Sequence, residues 1–148
     1  MNISFRQYLM SDEDECLSLF DKNCPEYFAV NERKDYEEFL AQVMDGYLVC
    51  QLDKEIIGAF GLFSENNGRV KLDWILLSPD KQCHGIGSFI MGHVLSQAID
   101  LKAKVMVIST SHKAYQFFEK HGAVVLSEVE NGWGPNMHRV EMELPIIC

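Results

Sequence analysis

The hydrophobic positions at the start of the chain change from a strand-like to a helix-like spacing. The segment ISFRQYL, residues 3–9, alternates imperfectly between apolar and polar positions, and the acidic segment SDEDE follows it with Ser11 as a helix N-cap. A helix that ends near Pro25 and a second helix that begins after Asn31 are predicted next. The chain is therefore expected to open with one strand and two helices.

Three apolar segments in the middle of the chain have the lengths and flanking turn residues of strands. They are YLVCQL, EIIGAFGLFS and RVKLDWILLS, and the turn-forming segments DKE and ENNG between them predict an antiparallel meander. A loop with two glycines then leads into a helix from about Ser88 to Lys102, and KVMVIST has the pattern of a buried strand. A strand, helix and strand of these lengths form a crossover, so the two strands should be parallel.

The last part of the chain predicts a short helix and two further strands. SHKAYQFFEKHG is helical and closes at Gly122, and AVVLSEV and HRVEMEL are strands joined by the loop ENGWGPNM. The element order predicts one α/β (α+β) domain over residues 1–148. Its central sheet should be mixed, mostly antiparallel and of about seven strands, with helices on both faces.

Charge and composition narrow the classes of partner. The formal net charge of −9 disfavours nucleic acid, whose phosphates need Lys and Arg, and suits a cationic small molecule or basic peptide, although acidic surfaces also serve solubility alone. The five cysteines have no C-x-x-C pair and no histidines at zinc-finger spacing, so we expect reduced thiols and no metal. Neither a signal sequence nor a membrane-length apolar run occurs, which predicts a cytoplasmic protein without a membrane partner.

The loop in LLSPDKQCHGIGSFIMG, residues 76–92, is a candidate anion site. Gly85 and Gly87 permit backbone shapes and close approaches that a Cβ forbids, and their amides precede a helix N-terminus. A simple tight turn is the alternative. A dinucleotide fingerprint would need Gly or Ala at Ile90, and a Walker loop would need Lys before Ser or Thr where Gly87 precedes Ser88. Neither of these two motifs fits.

Two motifs resemble the GNAT acetyltransferase superfamily. Residues 82–87, QCHGIG, resemble its R/Q-x-x-G-x-G/A signature, and the turn Ser-Pro-Asp at residues 78–80 precedes them as in that family. Residues 111–123, SHKAYQFFEKHGA, look like its second motif, N-x-x-A-x-x-L-Y-E-K-x-G-F. The resemblance extends over residues 3–144 and implies the GNAT fold, with acetyl-CoA as co-substrate.

The resemblance also implies which residues hold acetyl-CoA. The backbone before the loop would pair with the pantetheine arm like an added strand, and the loop amides and the following helix dipole would hold the pyrophosphate. Ser111 takes the family's Asn position, where its hydroxyl can still hydrogen-bond the cofactor. The expected cofactor-binding residues are Ile75, Leu76, Leu77, Gln82, Cys83, His84, Gly85, Ile86, Gly87, Ser88, Ser111 and Phe118.

Direct acetyl transfer needs an amine that has lost its proton and a proton for the departing thiolate. Asp73 is the candidate base, because many members of the family that the chain resembles carry a Glu there that acts through water. A solvated strand residue or a counter-ion for the amine is the alternative. The family's usual acid is a Tyr, and here that position is Phe118, which has no proton to donate. Tyr115, one helical turn earlier, and water are the candidate replacements.

Aromatic residues in two loops are candidates for the acceptor site. Trp133 lies in NGWGPNMH, and Tyr27 and Phe28 lie between the first two helices; both loops border the acceptor in the family that the chain resembles. Two ordinary turns pinned by aromatic side chains are the alternative. A Trp near Glu128 and Glu130 could receive an amine through cation–π and charge contacts.

The favoured function is an acetyl-CoA-dependent N-acetyltransferase that acts on a primary amine of a small molecule or a peptide. A CoA-binding or acyl-CoA-binding sensor with little or no turnover is the second hypothesis, motivated by Phe118. A non-enzymatic, dimer-forming module is the third, and it rests on the apolar content alone. The identity of the acceptor, the acyl chain length and the formation of a homodimer are left open.

Overall fold

The strands and helices follow one another in the predicted order. The computed structural model describes residues 2–147, apart from the side chains of residues 82–84. Short 3-10 helices precede α1 and α3, at Met10–Asp12 and Pro79–His84. The strands are β1 Ile3–Gln7, β2 Tyr47–Leu52, β3 Glu55–Ser64, β4 Arg69–Leu77, β5 Val105–Ser111, β6 Val124–Gly134 and β7 Met137–Pro145, and the helices are α1 Glu13–Lys22, α2 Glu32–Gln42, α3 Ile86–Asp100 and α4 Tyr115–Lys120.

All seven strands form one mixed sheet. Their order across the sheet is β1-β2-β3-β4-β5-β7-β6. Neighbouring strands are antiparallel except β4 and β5, which are parallel because α3 carries the chain back across the sheet between them. The predicted meander and crossover are therefore confirmed.

Helices cover both faces of this sheet, each over its own group of buried side chains. On one face α3 buries Ile90 and Val94 against the sheet, and Phe118 of α4 belongs to the same group. On the other face α1 and α2 bury Phe20 and Tyr36 against β2 and β3. The amphipathic spacing read in the sequence thus corresponds to two layers of helix around the sheet, and the predicted fold class is confirmed. None of the helices within residues 2–147 is both long and apolar enough to cross a membrane.

Strands β4 and β5 separate towards their carboxyl ends. Their pairing runs from Arg69 and Val105 to Leu72 and Ile108 and ends there, although both strands continue. β4 also has a bulge against β3. Ala59 pairs with Leu76 and Gly61 pairs with Asp73, so β4 has one more residue than β3 between these two pairs. Within the bulge Trp74 has a φ of 48°, a left-handed conformation that is unusual for a bulky residue.

The hydroxyl of Tyr47 holds this bulge in place by donating to the Trp74 carbonyl at 2.7 Å. Tyr47 is fully buried, and its hydroxyl oxygen lies 2.9 Å from that of Tyr36 on α2. A network from α2 to β4 therefore supports a backbone conformation that costs free energy by itself, and such conformations are frequent at functional sites. The bulge lies where β4 leaves β5, so it shapes the opening between the two strands.

The loop between the last two strands is shorter than the predicted ENGWGPNM. β6 continues to Gly134, and only residues 135 and 136 lie between the strands. Val129 pairs with Arg139 and Gly134 pairs with Met137, so residues 130–133 form a large bulge opposite one residue of β7. Local hydrogen bonds support the bulge: the Asn131 amide donates to His138 Nδ1 at 2.9 Å, and Asn131 Oδ1 accepts from the Asn136 amide at 2.8 Å. Gly, Pro and Asn serve both bulges and loops, which is why composition did not distinguish them.

Candidate active site

A cleft of about 620 Å³ opens where β4 and β5 separate. One end is lined by Gly87 and Ile90 of α3 together with Phe117 and Phe118 of α4. The walls are the carboxyl ends of the two strands. The other end, called the acceptor end below, is lined by Asn23, Tyr27, Phe28, Glu32, Trp74 and Trp133.

The glycine loop lies at the first end of the cleft. Gly85 has a φ of 75°, which suits a residue without Cβ, and α3 begins immediately after it at Ile86. At Gly87 a Cβ would lie 3.0 Å from the Phe117 ring and 3.4 Å from Leu77, so glycine is required there for close packing of α3. The first amides of α3 have no partner within the helix, and such helix N-termini bind phosphate groups in many proteins. The predictions for the side chains of Gln82, Cys83 and His84 lie outside the described residues.

The cleft walls have hydrogen-bonding groups that a pantetheine arm can use. Residues 75–77 of β4 line the cleft beyond the last residue paired with β5. Ser111, at the end of β5, is 4% exposed, and its Oγ has no hydrogen-bond partner within the part of the chain that the structure describes. A buried hydroxyl without a partner is costly unless a ligand supplies one. The residues present therefore fit an extended cofactor with amide groups.

Asp73 lies on the wall of the cleft, with its side chain 30% exposed. Burial raises the pKa of this carboxyl above its ordinary value, and the Lys71 ammonium, 3.8 Å from Oδ1, partly offsets that rise. A carboxylate with a raised pKa is a stronger base than one in water. Its position allows the predicted role of a base and also that of a counter-ion, so the role stays a prediction.

Of the two aromatic residues considered for the leaving thiolate, Phe118 lines the cleft and Tyr115 does not. Phe118 is 4% exposed and lines the cleft, where the resemblance places a Tyr. Tyr115 packs against the core under α3 and α4 and is not among the residues that line the cleft. Its predicted role as proton donor is untested, but this placement does not favour it.

The acceptor end is enclosed by hydrogen bonds between distant parts of the chain. The Trp133 indole donates to the Thr110 carbonyl at 2.8 Å, and Asn31 Nδ2 donates to the Trp133 carbonyl at 2.8 Å. A Cβ at Gly134 would overlap Asn31 Oδ1, so this close approach needs glycine. The β6–β7 hairpin is thereby fixed to β5 and to the start of α2. Tyr27, Phe28 and Trp133 line one cleft, and their role in binding the acceptor stays a prediction.

Two residues of the cleft were missed by sequence reasoning. Asn23 is 3% exposed, and its side-chain amide donates to the carbonyls of Leu19 at 2.9 Å and Leu77 at 3.2 Å, which joins α1 to the end of β4. Glu32 is 5% exposed, and its Oε2 accepts a hydrogen bond from the Ala29 amide at 2.8 Å. Glu32 has the sequence pattern of an ordinary acid in the first turn of a helix, so only its packing distinguishes it.

Comparison with known proteins agrees with this geometry. The model of the acetyltransferase (GNAT) family matches residues 16–123, and the chain belongs to this family. No curated protein sequence matches the chain. The family assignment makes acetyl transfer the general class of reaction.

Solved structures of N-acetyltransferases share the fold. Ard1 from Thermoplasma volcanium is 13% identical with a TM-score of 0.81, and 100% of each chain is covered. The ribosomal-protein-S18-alanine N-acetyltransferase from Escherichia coli is 13% identical with a TM-score of 0.79, with 99% of this chain and 96% of that one covered. An aminoglycoside 6'-N-acetyltransferase complexed with coenzyme A is 14% identical with a TM-score of 0.74, with coverage of 100% and 98%. At these identities the similarity shows the fold alone.

Proposed function

We propose that the protein is an acetyl-CoA-dependent N-acetyltransferase that transfers an acetyl group directly to a primary amine of a small molecule or a peptide. The observation that carries this proposal is the cleft between the separated ends of β4 and β5, which has the N-terminus of α3 at one end, the half-buried carboxyl of Asp73 on one wall and the buried carboxyl of Glu32 at the acceptor end. These features support a cofactor and an amine bound in one cleft.

Acetyl-CoA supplies the activated acetyl group when it is bound. Its pyrophosphate would lie at the amides around Gly85 and Gly87, favoured by the dipole of α3. The backbone of residues 75–77 would hydrogen-bond the pantetheine arm, and the Ser111 hydroxyl would take a partner from the same arm. These contacts would hold the thioester at the level of the β4 bulge.

Asp73 would receive the proton of the acceptor ammonium, directly or through water. An alkyl ammonium has a pKa of about 10.4 in water, so it is protonated near neutral pH and needs a base before it can attack. Only the ionised carboxylate of Asp73 can accept this proton. Burial raises the pKa of Asp73, so the carboxylate is a stronger base than one in water.

A CoA-binding protein with little turnover is the second candidate, and Phe118 favours it. This side chain faces the cleft and has no proton for the departing thiolate. Ordered water or the Ser111 hydroxyl would have to assist the thiolate in the transferase, at a lower rate than a positioned phenol.

Release of free thiol from acetyl-CoA in the presence of a panel of primary amines tests the two candidates. Thiol release that depends on an amine supports the transferase. Binding of CoA in a calorimeter without release for any amine supports the CoA-binding protein, and absence of CoA binding contradicts both.

We also propose a cytoplasmic location. Cys16, Cys24 and Cys50 are free thiols, which supports a reducing compartment.

A further inference from the structure

Glu32 is a buried carboxyl at the acceptor end of the cleft. It is 5% exposed and lines the cleft from the first turn of α2. The neighbouring Arg33 pairs with Asp21 at 2.8 Å and with Glu37 at 2.8 Å. Among the residues that the structure describes, no Lys, Arg or His forms an ion pair with Glu32. An ionised carboxyl in this place is not neutralised by a cation of the described part of the chain, and a bound cation would stabilise it.

The surroundings of Glu32 make its charge responsive to pH. Burial raises the pKa of Glu32 to about 7, and the charge of Asp35 adds to the effect, whereas the hydrogen bond from the Ala29 amide lowers it. The carboxyl therefore changes its charge closer to neutral pH than an exposed glutamate does. The titratable and charged groups beside it or along the same cleft are Asp35 on α2, Cys24 and Tyr27 before α2, Lys71 and Asp73 on β4, and Lys113 after β5.

Aromatic side chains surround the same end of the cleft. Phe28 and Trp74 are stacked with ring centroids 6.1 Å apart and an angle of 19° between the rings. Trp133 lines the same cleft, and its indole donates a hydrogen bond to the Thr110 carbonyl. Aromatic faces attract cations and bury apolar groups, so a carboxylate among them suits an ammonium attached to an apolar body.

We propose that Glu32 binds the ammonium group of the acceptor and that the acceptor class is a primary amine carried on an aromatic or other apolar group. The inference rests on the proposed function, because it assigns the acceptor of that same cleft. Asp73 and Glu32 then have separate tasks. Glu32 binds the charged amine as it enters the cleft, and Asp73 accepts the proton from the nitrogen that reacts.

A purely structural role for Glu32 would not require its charge. Within the described part of the chain, its carboxyl accepts a hydrogen bond from the Ala29 amide, and a glutamine side chain accepts the same bond with its carbonyl oxygen. A buried charge that costs stability and lines a ligand cleft is typical of a group kept for function.

The variant Glu32→Gln tests the proposal, with 2-phenylethylamine as acceptor and Glu38→Gln as the matched control. Glu38 is exposed on the same helix and is not among the cleft residues. We expect Glu32→Gln to raise the KM for the amine by about 10- to 100-fold, the range for loss of a charged hydrogen-bond partner, with the KM for acetyl-CoA unchanged. Glu38→Gln should behave like the wild type.

A second measurement uses the unmodified protein and does not require turnover. Calorimetry of 2-phenylethylamine binding to the CoA-loaded protein should show affinity that rises as pH increases through about 7, whereas the neutral isostere 2-phenylethanol should show no such rise. This rise in affinity should be absent in Glu32→Gln. Any part of the pH dependence that comes from Asp73 would remain in both the wild type and the variant.

The outcomes separate this inference from the proposed function. Equal amine affinity in Glu32→Gln and Glu38→Gln overturns the role of Glu32, and turnover of a linear diamine or an aminoglycoside but not of 2-phenylethylamine overturns the acceptor class. Amine binding that depends on Glu32 without any thiol release supports the amine site while contradicting the transferase.

Discussion

At the scale of single residues, Asp73 has the proposed role of base in the transfer reaction. We expect Asp73→Asn to lower kcat/KM by roughly 100-fold with acetyl-CoA affinity unchanged, because an amide cannot accept the ammonium proton. Steady-state kinetics with both substrates varied would measure this, and Asp45→Asn, at an exposed position, is a control for the loss of one charge. A loss confined to the KM of the amine would instead make Asp73 a counter-ion.

Phe118 and Tyr115 form a second test at this scale. Phe118 faces the cleft, so Phe118→Tyr should place a phenol near the sulfur and leave kcat equal or higher. Tyr115 is partly buried against the core and does not line the cleft, so Tyr115→Phe should change kcat by less than about twofold. Single-turnover measurements of acetyl transfer distinguish the two effects from product release. A tenfold fall for Tyr115→Phe with intact CoA binding would show that Tyr115 is the proton donor after all.

At the scale of elements, the turn into α3 carries the proposed anion site. Gly85 has a left-handed backbone, and a Cβ there would meet no atom within 4 Å, so Gly85→Ala acts through the backbone and not through a clash. We expect it to weaken CoA binding by at least about tenfold, roughly 1.4 kcal/mol, in a protein that remains folded. Isothermal calorimetry would measure this.

Gly92 provides the matched control for the turn. It lies in the middle of the same helix, and a Cβ there likewise meets no atom within 4 Å. Gly92→Ala should leave CoA affinity unchanged and stabilise the protein by about 0.5–1 kcal/mol, because alanine favours a helix interior. Unchanged CoA affinity in a folded Gly85→Ala protein would contradict the location of the pyrophosphate.

At the scale of the whole molecule, Glu32 should make stability depend on pH. Its pKa is raised from 4.5 to about 7 in the folded protein, so the unfolded chain releases this proton at lower pH than the folded one. The contribution of Glu32 to stability therefore falls as pH rises from about 4.5 to about 7, by on the order of 2–3 kcal/mol, and is constant above that.

Thermal melts of wild type and Glu32→Gln between pH 5 and pH 8 would measure this contribution. His93 and His121 have lowered pKa values through burial and change stability in the opposite direction, but they titrate in both proteins. Because only the wild type loses the contribution of Glu32, the melting temperature of Glu32→Gln should rise relative to that of the wild type as pH increases. A difference independent of pH would show that Glu32 has an ordinary pKa.

Sequence reasoning identified many of the residues that line the cleft but missed the buried carboxyl of Glu32. The glycine turn, Asp73 and Phe118 follow from motif and spacing, and they lie along one cleft. Tyr115 was proposed on helical spacing alone; it is partly buried against the core and does not line the cleft, and its role as proton donor stays a prediction. Glu32 has no local pattern that separates it from the many exposed acids of this chain.

The sequence by itself determined the type and order of the elements, because these depend on apolar periodicity and turn residues within a few positions of each other. Only the tertiary structure decided where β4 leaves β5, how the bulge at Trp74 is held and which acid is buried. Each of these depends on contacts between residues far apart in the chain, such as Tyr47 with Trp74 and Asn31 with Trp133. Burial and its effect on a carboxyl arise only when those distant segments pack together.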